Sequence, residues 1–167
     1  LLTEDQLHEG IRRLAGEIVQ GKTSDWDRVR AIYDWVRANV KYQFDPELKG
    51  ALTALRAGHG DCPHFTSPFT ALSRANRIPP RSLCVPGHCY PEFYLEAPDG
   101  QGRWFPCQAA GAEEFGSIHE ARPILQKGDA FSVPGESAPK RYVAETFRAK
   151  NALGDPRVEF IRKPLTE

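Results

Sequence analysis

The chain has no methionine among its 167 residues, only four cysteines and three tryptophans, and no excess charge of either sign. Lys+Arg and Asp+Glu both total 22, so the net charge is zero. The basic residues are dispersed, and local clusters such as Arg12-Arg13 have acidic neighbours. A nucleic-acid or anionic-lipid partner needs a one-signed field, and this balance supplies none. No apolar run approaches the ~20 residues of a membrane span, which predicts no membrane insertion. Cys62, Cys84, Cys89 and Cys107 all fall in the middle third of the chain. That crowding argues against a disulfide framework stapling the whole fold. A disulfide among Cys84, Cys89 and Cys107 stays open, but the favoured expectation is that they are small buried apolar residues. The chain starts Leu1-Leu2-Thr3, which reads as a mature product or a piece of a longer protein. A signal peptide, the compartment and the oligomeric state are therefore not legible.

What is present has the size and patterning of one domain with a real core. Leu7, Ile11, Leu14 and Ile18 step by four, three and four, one face of an amphipathic helix. Ser24 with Asp27 resembles a capping box ahead of Trp26, Val29, Tyr33, Val36 and Val40 at helical spacing, which are read as core. Residues 50–57 predict a short helix ending at Gly58. After the turn Gly58-His59-Gly60-Asp61 comes Cys62-Pro63, with proline suited to the first helical position. Phe65, Phe69, Leu72 and Ala75 form the apolar face of that next helix, Pro68 predicts a kink, and Ile78-Pro79-Pro80 ends it. The period then changes to two. Arg81–Val85, His88–Glu96 and Arg103–Gln108 read as strands, the last two joined by a hairpin loop at 97–102. The order is α+β, helices followed by an antiparallel sheet. Residues 109–167 are a Gly-, Pro- and charge-rich extension, expected to cover one end of the sheet or to shape a groove. Tyr142–Ala149 is its best candidate element.

Chemistry gathers at three positions. Cys62 stands at the first turn of a helix, where unpaired backbone N–H groups and the helix dipole favour a thiolate. Strand alternation puts His88, Tyr90, Glu92 and Tyr94 on one face, with Cys89, Phe93 and Leu95 on the other. Trp104, Pro106 and Gln108 likewise share a face. Pairing through the hairpin brings His88 and Gln108 to one end of the sheet, and the Cys62 helix is expected to pack on that face. The order is nucleophile, base and orienter. The thiolate attacks an acyl carbon, the imidazole carries the proton, and a third polar group fixes the ring. The Cys62 N–H is a natural oxyanion donor, with Tyr42 or Tyr90 as candidates for a second. Asp61 is read as a turn and cap residue, and His8, His59, His64 and His119 as surface or loop residues. Glu92 lies about 13 Å along the strand from His88, too far to orient its ring.

Gly60-Asp61-Cys62, then His88-Cys89-Tyr90-Pro91-Glu92-Phe93-Tyr94, then Trp104-Phe105-Pro106-Cys107-Gln108 resemble the three ordered motifs of the transglutaminase-like superfamily. Those motifs usually read G-D-C, H-A-W-x-E-x-Y and W-x-P-x-D. The link Ala71–Arg81 also resembles the family, and the resemblance spans about residues 26–108. It implies a papain-like fold with Cys62 as nucleophile, His88 as base and Gln108 as orienter. The substrate implied is a peptide or protein amide, the acyl acceptor water or an amine, and no metal or organic cofactor is required. No acidic loop supports the calcium dependence of some relatives. This chain departs from the pattern with Gln108 for aspartate, Tyr90 for tryptophan, and Cys89 and Pro91 where small residues are common. A glutamine accepts a hydrogen bond without adding charge, so the thiolate–imidazolium pair is expected to be weaker.

Two other readings stay open on sequence. A degenerate, non-catalytic domain would keep the fold to bind a peptide or protein, a reading Gln108 sustains. A zinc site would draw four ligands from Cys62, His64, Cys84, His88, Cys89 and Cys107, although no C-x-x-C pair occurs.

Overall fold

A computed structural model describes residues 4–128 and, beyond them, 131–132, 134–135, 137–138, 147, 149–161 and 163. The candidate element Tyr142–Ala149 lies outside the described residues, positions 147 and 149 apart. Helix α1 (Glu4–Ile18) and helix α2 (Asp25–Asn39) form where the apolar spacing predicts them. Ser24 caps α2, its Oγ accepting the Asp27 N–H at 3.1 Å, and satisfies one of the first-turn donors. Val29, Ile32, Tyr33 and Val36 face the core from α2. A two-residue strand β1 (Lys41–Tyr42), helix α3 (Ala51–Ala57) and strand β2 (His59–Gly60) follow, with β1 and β2 parallel. Gly58 ends α3 in the left-handed region at φ 66°, the conformation glycine adopts most readily.

Helix α4 (Cys62–Ala75) runs through Pro68 without a break in its assignment. The residue costs one intrahelical hydrogen bond, from the missing N–H to the His64 carbonyl, but not the helix. The expected kink does not interrupt it, and Pro68 is buried, like Phe65, Phe69 and Leu72 of the same helix. Then come β3 (Pro80–Val85), β4 (His88–Glu96), β5 (Gly102–Pro106) and β6 (Gln126–Lys127), in one antiparallel sheet of order β5-β4-β3-β6. The hairpin at 97–102 is present, closed by the Ala97 N–H on the Gln101 carbonyl at 2.8 Å. β5 stops at Pro106, so Gln108 lies just beyond the strand rather than within it. β6 was not foreseen. Two residues carry no period, and this strand puts part of the 109–167 extension on the sheet edge beside β3.

The helices and sheet stack as two layers, an α+β architecture. Phe93 of β4 is fully buried, with ring centroids 6.3 Å from Phe69 of α4 and 5.8 Å from Trp26 of α2. The expected face of packing is thereby corrected. α4 covers the face of β4 carrying Cys89 and Phe93, whereas Tyr90 on the other face packs with Leu83, Val85 and Ile118. The reason is apolar area: Phe93 and its pair partner Phe105 outweigh the face that bears Glu92. Trp26 is 40 % exposed yet meets Phe93, Phe105 and Phe115 edge-on, as its place in the helical pattern predicts. Phe115 brings the start of the extension into this core.

Candidate active site

Asp61 is the N-cap of α4 and Cys62 its first residue, with Pro63 second. The thiol therefore sits against the open N–H groups of the first helical turn, where negative charge is favoured. His64 holds this turn from behind, which its assignment as a loop residue missed. It is wholly buried, with Nδ1 3.2 Å from the Asp61 N–H and 2.8 Å from Asp61 Oδ1. As acceptor it takes the N–H; in the other tautomer it donates to the carboxylate. Its Nε2 lies 4.0 Å from Asp45 Oδ2. Gly60 is required here because a Cβ would stand 2.2 Å from the His64 ring. A small residue ahead of a cysteine was the only sequence signal for that close approach. His119, in contrast, is exposed and pairs with Glu114, and Asp61 has the cap role expected of it.

His88 begins β4 immediately after Gly87, which turns the chain at φ 69°. His88 Nε2 and Gln108 Oε1 are 2.8 Å apart. The Cys62 thiol and the same ring line one cavity, close enough for each to shift the other's pKa, the thiol downward and the imidazole upward. Cys62, His88 and Gln108, far apart in the chain, are thus brought together in that order. α4 lies on the opposite face of β4, so the thiol reaches the imidazole at the end of the sheet. Tyr90 is buried behind the ring, centroids 6.2 Å apart, and Tyr42 is 70 % exposed on β1. Neither of these candidate oxyanion donors lines the cavity beside Cys62. Glu92 is paired with Arg81 across the strands, consistent with its exclusion as orienter.

The cysteines divide into two kinds. Cys107 is fully buried, its thiol directed to the Pro91 carbonyl at 3.7 Å, and burial pushes its pKa far up. It is the small apolar residue expected. Cys84 and Cys89 are not. Both line the cavity with Cys62, and Cys89 faces α4, its sulfur 3.7 Å from Thr66 Oγ1. No cysteine is in a disulfide. The Cys62 thiol is pulled down to about 5, first by the Cys89 S–H and then by His88, against the opposing effect of burial. His88 is raised above its ordinary value, chiefly by the hydrogen bond to Cys62 and then by that to Gln108, with burial and Arg122 opposing. Cys89 is raised strongly, first by its hydrogen bond to Cys62 and then by burial.

Two arginines hold the frame, and neither carried a sequence signal because each acts on distant backbone. Arg37 of α2 donates Nη1 to the Gln108 carbonyl at 2.9 Å and the Ala112 carbonyl at 3.2 Å, and Nη2 to the Gly111 carbonyl at 2.9 Å. Its guanidinium fixes the loop from which Gln108 reaches His88. Arg122 donates to the Pro86 carbonyl at 2.9 Å, two residues before His88, and is itself held by Glu120.

Beside the thiol opens a cavity of about 540 Å³ between α3, α4, β3 and β6. The cysteine and the imidazole line it, and Thr66, Ser67, Thr70 and Ser82 give its walls hydroxyl groups. Among the described residues no three His, Cys, Asp or Glu side chains converge as a metal-binding group, so the zinc alternative has no ligand set there. No helix among them is long and apolar enough to cross a membrane.

The family model described as the transglutaminase-like superfamily matches residues 12–109. That is more than half of the chain, which therefore belongs to this superfamily. Among solved structures, a candidate cysteine protease from Cytophaga hutchinsonii is 19 % identical with a TM-score of 0.55, covering 85 % of this chain and 61 % of that one. A candidate protease from Parabacteroides distasonis is 13 % identical with a TM-score of 0.47, covering 57 % of this chain and 22 % of its own. The chain thus spans less than two thirds of either neighbour's length. No curated protein matches it.

Proposed function

We propose that the chain is a cysteine-dependent acyl-transfer enzyme acting on a peptide or protein amide through a thioester at Cys62. The observation that carries this reading is His88, whose Nε2 is 2.8 Å from Gln108 Oε1 and whose ring shares a cavity with the Cys62 thiol, each shifting the other's pKa. In the first half-reaction the Cys62 thiolate attacks the amide carbon, and the oxyanion gathers against the Cys62 N–H at the start of α4. The His88 imidazolium gives its proton to the leaving amine as the C–N bond breaks. In the second half-reaction neutral His88 takes a proton from water or an amine as that acceptor attacks the thioester, and the thiolate departs. Water makes the enzyme a protease or amidase, an amine a cross-linking transferase. The likeness of fold to a candidate cysteine protease favours water. Gln108 keeps its ring partner oriented while adding no charge, the property expected of an orienter in a modestly active enzyme.

Casein incubated with a fluorescent primary amine separates the products. The reading expects released peptides or amine-labelled casein, and a loss of at least about a thousandfold in Cys62→Ala. Neither product from the unsubstituted chain, with retained binding of the casein, would favour the second reading of a peptide-binding domain. That reading draws its support from the uncharged residue at 108.

A further inference from the structure

Three of the four thiols converge on one cavity, and only one of them is used by the proposed reaction. Cys62 and Thr66 lie one turn apart on α4, so they share a face about 5–6 Å apart. The Cys89 sulfur stands over that face, 3.7 Å from Thr66 Oγ1, and Cys62 and Cys89 both line the cavity. From these placements we infer that Cys89 is a resolving cysteine, and that hydrogen peroxide converts Cys62 and Cys89 into a reversible disulfide that closes the site. The loss of activity rests on the proposed function; the disulfide itself does not.

The chemistry balances in two steps. Cys62 thiolate attacks one peroxide oxygen, the O–O bond breaks, and the departing hydroxide takes a proton from the His88 imidazolium and leaves as water. Sulfur is oxidised to a sulfenic acid and the peroxide is reduced. Cys89 then attacks the sulfenic sulfur, the S–O bond breaks, and the thiol proton leaves with the hydroxyl as a second water. The foremost cause of the high Cys89 pKa is the hydrogen bond to Cys62. Once Cys62 is a neutral sulfenic acid that cause is gone, while the burial that also raises Cys89 remains. Peroxide is small enough to enter through the cavity that Cys62 and Cys89 both line.

Cys84 is the built-in control. It pairs directly with Cys89 across β3 and β4 and lines the same cavity, so a Cys84–Cys89 cross-strand disulfide is the competing product. The intact chain is treated with hydrogen peroxide, alkylated, digested without reduction and mapped by mass spectrometry. The expected product is a Cys62–Cys89 linked peptide pair, with alkylatable thiols falling from four by two and recovering fully in dithiothreitol. Cys84→Ala should give the same link. Cys89→Ala should give none, and its Cys62 should pass to a sulfinic acid that dithiothreitol does not rescue. A Cys84–Cys89 link, or sulfinic Cys62 in the unsubstituted chain, would overturn the inference. A Cys62–Cys89 link in a chain that cleaves no amide supports the thiol pair while contradicting the enzymatic reading alone.

Discussion

His88 stands between unlike partners: a thiol that ionises and, 2.8 Å from Nε2, an amide oxygen that carries no charge. The ion pair of Cys62 and His88 exists where the thiol has lost its proton and the ring has kept one. Cys62 is lowered to about 5, so the thiolate forms above that pH. His88 is raised, so the imidazolium persists past its ordinary value of about 6.5 before it is lost. Activity should therefore follow a bell with those two limbs. In Gln108→Asp the added carboxylate favours the charged ring, and the alkaline limb of kcat/KM should move up while the acid limb stays in place. Gln108→Ala should lower the rate about tenfold through loss of one oriented hydrogen bond. An alkaline limb unmoved in Gln108→Asp would show that residue 108 does not address His88 in solution.

Individual elements position these residues, and their legibility in the sequence was uneven for physical reasons. Periods of 3.6 and 2 foretold α1, α2, α4 and the three long strands because each buries one face. The His88–Gln108 pairing followed from alternation and the hairpin alone. Which face α4 covers did not follow, since both faces of β4 carry aromatic residues and only the summed burial of Phe93 and Phe105 decides it. The Cys62 helix was consequently expected on the His88 face, which separated Cys89, on the opposite face as alternation puts it, from the thiol it neighbours. Arg37 was invisible for another reason: its partners are main-chain carbonyls, which every sequence has. As a positioning residue it has a specific signature. Arg37→Ala should free the 108–112 loop, lower kcat about tenfold and shift the alkaline limb of the pH profile downward as His88 loses its Gln108 partner. Arg37→Lys, with fewer and unforked donors, should recover only part of the loss. A fall in thermal stability with an unchanged pH profile would make Arg37 structural only.

Across the molecule, one aromatic cluster joins the helices to the sheet. Trp26, Phe69, Phe93, Phe105 and Phe115 bring together α2, α4, β4, β5 and the segment after Cys107. This cluster holds α4, and therefore Cys62, at a fixed height over β4. Truncating its centre in Phe93→Ala should cost about 3–5 kcal/mol, read as a shift in the denaturant midpoint at constant m-value. A cost below about 1 kcal/mol would mean that the layers are held elsewhere. The extension after residue 108 is also part of this whole, since Phe115 enters the core, β6 extends the sheet, and Gln126 and Gly128 line the cavity. The central claim concerns the thiol that all of this positions. The most direct test is the rate of iodoacetamide alkylation of Cys62 as a function of pH, with the site followed by peptide mapping. The account predicts one fast-reacting thiol, Cys62, whose rate rises with a midpoint near pH 5. A Cys62 that reacts slowly and only as pH approaches the ordinary cysteine value of about 8.5 would contradict it.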